Sequence, residues 1–204
     1  VNNAGILRDR TLVNMTEDEW DAVINVHLKG HFCPTRHAAQ YWREQSKAGK
    51  TVDRTVINTS STSGLFGQPG QTNYGAAKSG IAMMTMITSG ELSRYGVRVN
   101  AIAPAALTRL TAGLAGVPAP DTGDEIGDMD PANVSPFVAY LATPDCPITG
   151  RVFFVMGGTV QLFQPWSIID RIDQPSGRWT VAELQYKAAH FAEVPFTLNH
   201  PMGH

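Results

Sequence analysis

The sequence has no long apolar run. Its longest stretch of that kind, residues 81–87, is interrupted by Thr85, well short of the roughly 20 residues a membrane-spanning helix needs. It has no excess of positive charge either. Sixteen Lys and Arg against 18 Asp and Glu leave a net charge of −2, so neither nucleic acid nor a membrane surface is an expected partner. Cysteine is scarce. Cys33 and Cys146 stand far apart without CxxC spacing, which reads as two buried thiols in a reduced, cytoplasmic setting. Val1 is followed at once by Asn2 and Asn3, not by the basic segment and apolar run of a signal peptide. Metal motifs are missing as well. His27 and His31 lie four apart with no third ligand spaced to help and no HExxH pattern, so packing or surface roles are expected. The acids Asp121, Asp124, Glu125, Asp128 and Asp130 lack the order of a calcium loop and read as a solvated lid. No metal is expected.

What is present is the composition of an ordinary globular protein: 43% hydrophobic and 17% charged residues in a chain of 204, enough for one domain with a core. Residues 1–5 read as the tail of a strand. Thr16-Glu17-Asp18-Glu19 forms a capping box, and a helix is expected from Thr16 to Arg43. Its core stripe is read as Trp20, Val23, Ile24, Leu28 and Phe32, with Pro34 kinking it. A strand over residues 51–61 leads into a Ser-, Gly- and Pro-rich loop over 60–70. A second long helix spans 73–95 and ends before Gly96. A strand over 97–103 is closed by Pro104, and a loop follows over 107–130. Residues 131–142 read as helix, 151–156 as a last strand, and the tail over 161–204 as mixed, with a helix near 181–191. Alternating strands and helices with short joins predict a parallel sheet with right-handed crossovers. The ligand would then sit beyond the carboxyl ends of the strands. The notable polar residues cluster there, after Val1, Ile57 and Ile102.

The strongest chemical signal is Tyr74-Gly75-Ala76-Ala77-Lys78. Residues four apart on a helix share a face. A cation beside a phenol favours the phenolate, so Lys78 should lower the Tyr74 pKa and make it a usable acid or base. Ser61 lies thirteen positions earlier, at a strand end, where its hydroxyl can donate to a carbonyl oxygen. Asn25 sits on or near the apolar stripe of the first helix, where an amide needs a partner.

Asn2-Asn3-Ala4-Gly5, then Asn25 with Gly30 and Phe32, then Ser61, Tyr74 and Lys78, then Val99-Asn100-Ala101-Ile102-Ala103-Pro104 resemble, in that order, the short-chain dehydrogenase/reductase family. The resemblance covers about residues 1–158 and implies a Rossmann-like doubly wound α/β fold. It also implies an NAD(P)-dependent oxidoreductase interconverting a secondary alcohol and a ketone. Tyr74 would be the catalytic acid or base, Lys78 would hold the nicotinamide ribose, Ser61 would polarise the carbonyl, and Asn25 would hold a water in the proton relay. Asn3, Ala4, Gly5, Pro104, Leu107 and Thr108 would border the cofactor, NAD or NADP. The family has Pro-Gly where this chain has Pro104-Ala105. Residues 70–74, 102–111 and the tail with Trp166 and Trp179 resemble a narrower group, the (3R)-hydroxyacyl-CoA dehydrogenase part of type 2 multifunctional enzymes. The expected substrate is therefore an acyl-CoA or a steroid-like molecule, and the expected assembly a homodimer or homotetramer.

The Gly-rich turn that binds the cofactor pyrophosphate in this family does not occur here; Gly64-Leu65-Phe66-Gly67 follows the wrong strand. The sheet is expected to lack its N-terminal strands, leaving an apolar edge. Residues 1–160 are expected to form the dehydrogenase part, and 161–204 a tail packing on it or on a neighbouring subunit. Two readings stay open: the catalytic part of an oxidoreductase, or an inactive scaffold or interaction protein of the same fold.

Overall fold

Thr16 starts the first helix as its capping box predicts. Its hydroxyl accepts from the Glu19 N–H and the Glu19 carboxylate accepts from the Thr16 N–H. The computed structural model describes residues 1–50, 53–108, 127–175, 177–195 and 200–201. Helix α1 (Glu17–Ile24) passes through a π turn (Asn25–Lys29) into α2 (Gly30–Lys47), which carries Pro34 within it. The buried row is Val23, His27, His31 and Thr35, each four residues from the last. This corrects the expected stripe. Phe32 is half exposed and Trp20 lies at the surface, because the core-facing row holds two imidazoles and a hydroxyl that a hydrophobicity pattern passes over.

Strand β1 (Arg54–Thr59) is followed by a short helix α3 (Thr62–Phe66), in a segment that reads from sequence as plain loop. Helix α4 (Thr72–Ser93) and strand β2 (Val97–Pro104) come next, with Gly96 at φ 69° turning the chain between them. The expected loop over 107–130 lies outside the described residues from 109 to 126. A 3-10 turn (Pro131–Val134) leads into α5 (Ser135–Ala142), then β3 (Val152–Met156). A further strand, β4 (Thr159–Leu162), folds back antiparallel after Gly157 at φ 52°. It is exposed along its whole length and too short to show an apolar signature.

The sheet order is β1-β2-β3-β4, with the first three strands parallel. Beside β1, Asn2 makes a single parallel bridge to Asn58, and its N–H donates to the Ile57 carbonyl. Both faces of the sheet are covered. Ile57, Ile102, Phe153 and Val155 pack with Leu141 and Cys146 on the α5 side. Val56, Val97 and Val99 pack with Leu92 and the α2 residues Ala39 and Trp42 on the other. This is the Rossmann-like arrangement that the sequence predicts. No helix among the described residues is long and apolar enough to cross a membrane.

The chain divides into two compact units, Val1–Phe163 and Gln164–His204. Within the second, Thr180 caps α6 (Val181–Lys187) with its own capping box. His190 bonds the Asp170 carboxylate at 3.0 Å and the Lys187 carbonyl at 2.8 Å.

In the first unit, α3 lies directly on α4 because Gly64 has no side chain. A Cβ there would stand 2.5 Å from the Ser79 nitrogen and 2.7 Å from the Lys78 carbonyl carbon. Backbone cannot yield as a flexible side chain does, so Gly64→Ala should cost about 1–3 kcal/mol. Thermal or denaturant unfolding measures it; an unchanged midpoint would show that the two helices part without cost.

Candidate functional site

Helix α4 carries Tyr74 and Lys78 one turn apart, and its first turn is held against residues 8–19. Asn73 donates from Nδ2 to the Arg8 carbonyl at 3.0 Å and to the Glu19 carbonyl at 3.2 Å, and its Oδ1 accepts from the Tyr74 N–H. Lys78 is buried. Its ammonium donates to the Thr59 carbonyl at 2.6 Å, at the carboxyl end of β1. The Thr59 N–H donates to His31 Nε2 at 3.3 Å, while His31 Nδ1 lies 2.7 Å from the His27 carbonyl. One neutral tautomer of His31, protonated at Nδ1, satisfies both contacts. Ser60 donates from its hydroxyl to the Lys78 carbonyl at 2.8 Å, so the strand end and the helix are tied twice.

Ser61 is the N-cap of α3, its Oγ accepting from the Ser63 N–H at 3.2 Å. That leaves its own O–H free to act as a donor, and the nearby Ser61 side chain draws the Tyr74 phenol pKa down. The larger influence is burial, which pushes the Tyr74 pKa up, with the Asp9 carboxylate adding to it. The lowering expected from Lys78 is not seen. The ammonium lies 5.5 Å from the ring centroid, engaged with Thr59, and burial pushes its own pKa down to about 8. Desolvation outweighs the pairing.

A cavity of about 500 Å³ opens at the carboxyl ends of the strands, where a doubly wound sheet binds its ligands. Of the residues singled out in the sequence, Ser61, Tyr74, Lys78, Asn3, Gly5, Pro104 and Thr108 line it. Ala4 and Leu107 do not; Leu107 donates its N–H to the Met129 carbonyl at 2.7 Å. Asn25 does not either. It opens the π turn at an exposed position, which corrects its expected place on the core stripe. His27, two residues on, lies in the buried row and faces the cavity instead. Thr59, Ser60 and Ala106 also line the cavity without having been singled out. Thr59 and Ser60 could have been found as polar residues closing an apolar strand. His27 could have been found from its i, i+4 spacing to Val23 and His31.

Asn3 accepts from the Thr59 hydroxyl at 2.9 Å. Neighbouring Asn2 donates to Thr35 and to Asn58, and Asn58 donates to Thr85. This chain of amides and hydroxyls locks residues 2–3 to β1, α2 and α4. Among the described residues no cluster of three His, Cys, Asp or Glu could hold a metal ion.

A family model, short chain dehydrogenase, matches residues 1–115. The hydroxyacyl-CoA dehydrogenase ChsB1 of Mycobacterium tuberculosis is 46% identical over 188 residues, 90% of this chain and 59% of that protein. Among solved structures, a short chain dehydrogenase from Mycobacterium avium superposes with a TM-score of 0.83 at 49% identity, covering 94% of this chain and 63% of that one. The full-length peroxisomal multifunctional enzyme type 2 from Drosophila melanogaster superposes with a TM-score of 0.71 at 31% identity, over 90% of this chain and 32% of that one. The chain belongs to the short-chain dehydrogenase family. It spans about three-fifths of the length of the first two of these relatives.

The burial of His31 has a consequence for stability. Desolvation, and then the Lys78 charge, lower its pKa from 6.5 to about 4 in the folded protein. The unfolded chain therefore binds the proton more readily between those values, and stability rises with pH across that window. The contribution is complete above pH 6.5 and lost as pH falls to about 4. It amounts to no more than about 3 kcal/mol. Urea unfolding at a series of pH values should show this slope, and His31→Gln should flatten it. A slope of the same size in His31→Gln would assign the effect to other groups.

Proposed function

We propose that this chain forms the catalytic centre of an NAD(P)-dependent oxidoreductase that interconverts a secondary alcohol and a ketone on 3-hydroxyacyl-CoA thioesters. The observation that carries the reading is convergence. Ser61 from the end of β1 and Tyr74 and Lys78 from α4 border one cavity, and the Ser61 hydroxyl acts on the Tyr74 phenol to lower its pKa. The substrate class follows the names of the relatives, which include a hydroxyacyl-CoA dehydrogenase; steroid-like alcohols are the competing class.

The residues present suit the nicotinamide-ribose half of such a cofactor. An ammonium has three N–H groups, and Lys78 gives one to Thr59, so it keeps donors for the hydroxyls of a sugar. Gly5, Pro104 and Thr108 supply the cavity wall around it. The bound nicotinamide would supply the hydride chemistry. Ser61 would donate to the reacting oxygen and stabilise negative charge there. Tyr74, kept protonated by burial, would give its proton to that oxygen in ketone reduction and recover it in alcohol oxidation. Lys78 would position the ribose and set the charge beside the phenol.

The reading includes a homodimer or homotetramer formed through α2 and α4, which leave Phe32, Tyr41, Met83 and Ile87 exposed. It also includes a cytoplasmic setting, in keeping with Cys33 and Cys146 both being free.

Turnover in the full-length protein can be followed through nicotinamide absorbance, with NAD(H) and NADP(H) against 3-hydroxyacyl-CoA and hydroxysteroid panels. Tyr74→Phe should lower kcat by about 10²–10⁴-fold with the fold intact, and Ser61→Ala should lower kcat more than it raises KM. Wild-type turnover in Tyr74→Phe would remove the acid–base assignment. Turnover on steroids alone would replace the substrate class.

A further inference from the structure

Residues 8–10 are fastened to the start of α4 at successive points. Asn73 donates to the Arg8 carbonyl at 3.0 Å, Gln71 donates from Nε2 to the Asp9 carboxylate at 2.8 Å, and the Arg10 N–H donates to the Gly70 carbonyl at 2.8 Å. The middle bond carries a cost. Gln71 is 8% exposed, and its Oε1 has no hydrogen-bond partner among the described residues. A carboxylate only accepts, so the amide must present Nε2 to Asp9, and Oε1 is left over. A buried acceptor without a partner is costly, and native proteins keep few of them. An apolar side chain at position 71 would avoid that cost. What the glutamine secures is a fixed place for the carboxylate of Asp9, a residue otherwise exposed at the surface.

That place is beside the reaction centre. Gln71 caps α4 and Tyr74 follows three residues later, so both side chains leave the same helical turn. The start of a helix is also a favourable position for an anion. The charged and titratable groups around the phenol come from three elements. Lys78, on α4, lies 5.5 Å from the ring centroid with its ammonium bonded to Thr59. His27, in the π turn, meets the ring edge-on at 5.0 Å; Gly5 packs so closely on that imidazole that a Cβ there would stand 2.8 Å from its Cε1. Asp9 supplies negative charge, which makes the phenol harder to deprotonate. The cations flanking Asp9 are engaged elsewhere, Arg10 with Glu19 at 3.2 Å and Arg8 with the Leu7 carbonyl at 2.7 Å.

We propose that Asp9, anchored by Gln71, is a positioning residue for the proton of Tyr74: its fixed negative charge holds that proton on the phenol and sets the pH range over which the site reduces ketones rather than oxidises alcohols. The inference rests on the dehydrogenase reading above. Asp9 acts through Tyr74 and exchanges no atom with the substrate.

The test uses the full-length protein with ring-labelled tyrosine, titrated by NMR, the Tyr74 signal being identified by its loss in Tyr74→Phe. Asp9→Asn keeps the shape of the side chain and removes the charge, so Tyr74 should titrate at lower pH than in wild type. The difference should shrink as salt is added, since Asp9 is exposed. Asp9→Glu keeps the charge and should titrate close to wild type. Gln71→Leu releases the carboxylate and should move the titration the same way as Asp9→Asn but less, with a melting temperature no lower than wild type. In turnover, the fall of ketone reduction and the rise of alcohol oxidation in kcat/KM should both move to lower pH in Asp9→Asn. An unmoved Tyr74 titration in Asp9→Asn would overturn the proposal. So would an equal shift in Asp9→Glu, or a shift that salt does not reduce. The NMR titration needs no turnover, so the two readings fail separately. Absence of nicotinamide turnover in wild type would remove the dehydrogenase reading; turnover lost in Tyr74→Phe beside an unmoved titration in Asp9→Asn would remove the Asp9 inference alone.

Discussion

An ammonium taken out of water needs compensation, because an unpaired buried charge costs far more than most single interactions contribute. Lys78 finds it in the Thr59 carbonyl, at 2.6 Å. That bond joins the second long helix to the end of the first strand and fixes where the site lies. Thr59 is held from its other side as well, its N–H bonded to His31 from the first long helix. One residue of β1 therefore links α2 and α4. Ser61 follows two residues later, and its place as cap of α3 depends on the strand ending where these bonds hold it. Gly64 then lets α3 come down on the backbone of Lys78 itself. The hydroxyl, the phenol and the ammonium meet because strand end, short helix and long helix are joined at this one level.

Much of the architecture was legible in the sequence, and the reasons are local. The Thr16–Glu19 capping box, the Pro-free run over α4 and the apolar runs of β1, β2 and β3 each specify their element without help from distant residues. Gly96 marks a turn that needs a positive φ, and it has one. What escaped needed tertiary information. Helix α3 is five residues long and stands on a Ser cap and on Gly64 packing, neither of which leaves a periodic trace. Strand β4 exists because Gly157 turns the chain back along β3, not because its own residues alternate.

The site was legible to a different depth. Tyr74, Lys78 and Ser61 could be singled out because their types and spacing carry a chemical purpose. The position of Asn25 relative to the buried row was misread for a physical reason. The helix that holds it contains a π turn, and its buried row is partly polar, so an apolar stripe read at regular spacing selects the wrong flank. The same error hid His27. A histidine among hydrophobic neighbours reads as packing, and its place on the cavity wall shows only in the folded chain. The direction of the Tyr74 shift was also beyond the sequence, since it depends on how deeply the ring is buried and not on which cation is near.

Gly5 and His27 divide one small volume between them. The ring occupies the place where a side chain on residue 5 would begin, and it also packs against Tyr74 and bonds Ile6. Neither position is therefore an independent variable. A larger residue at 5 requires a smaller or reshaped one at 27, and a protein that shrinks residue 27 gains room at residue 5. In related chains these two positions, 22 residues apart in sequence, should drift as a pair.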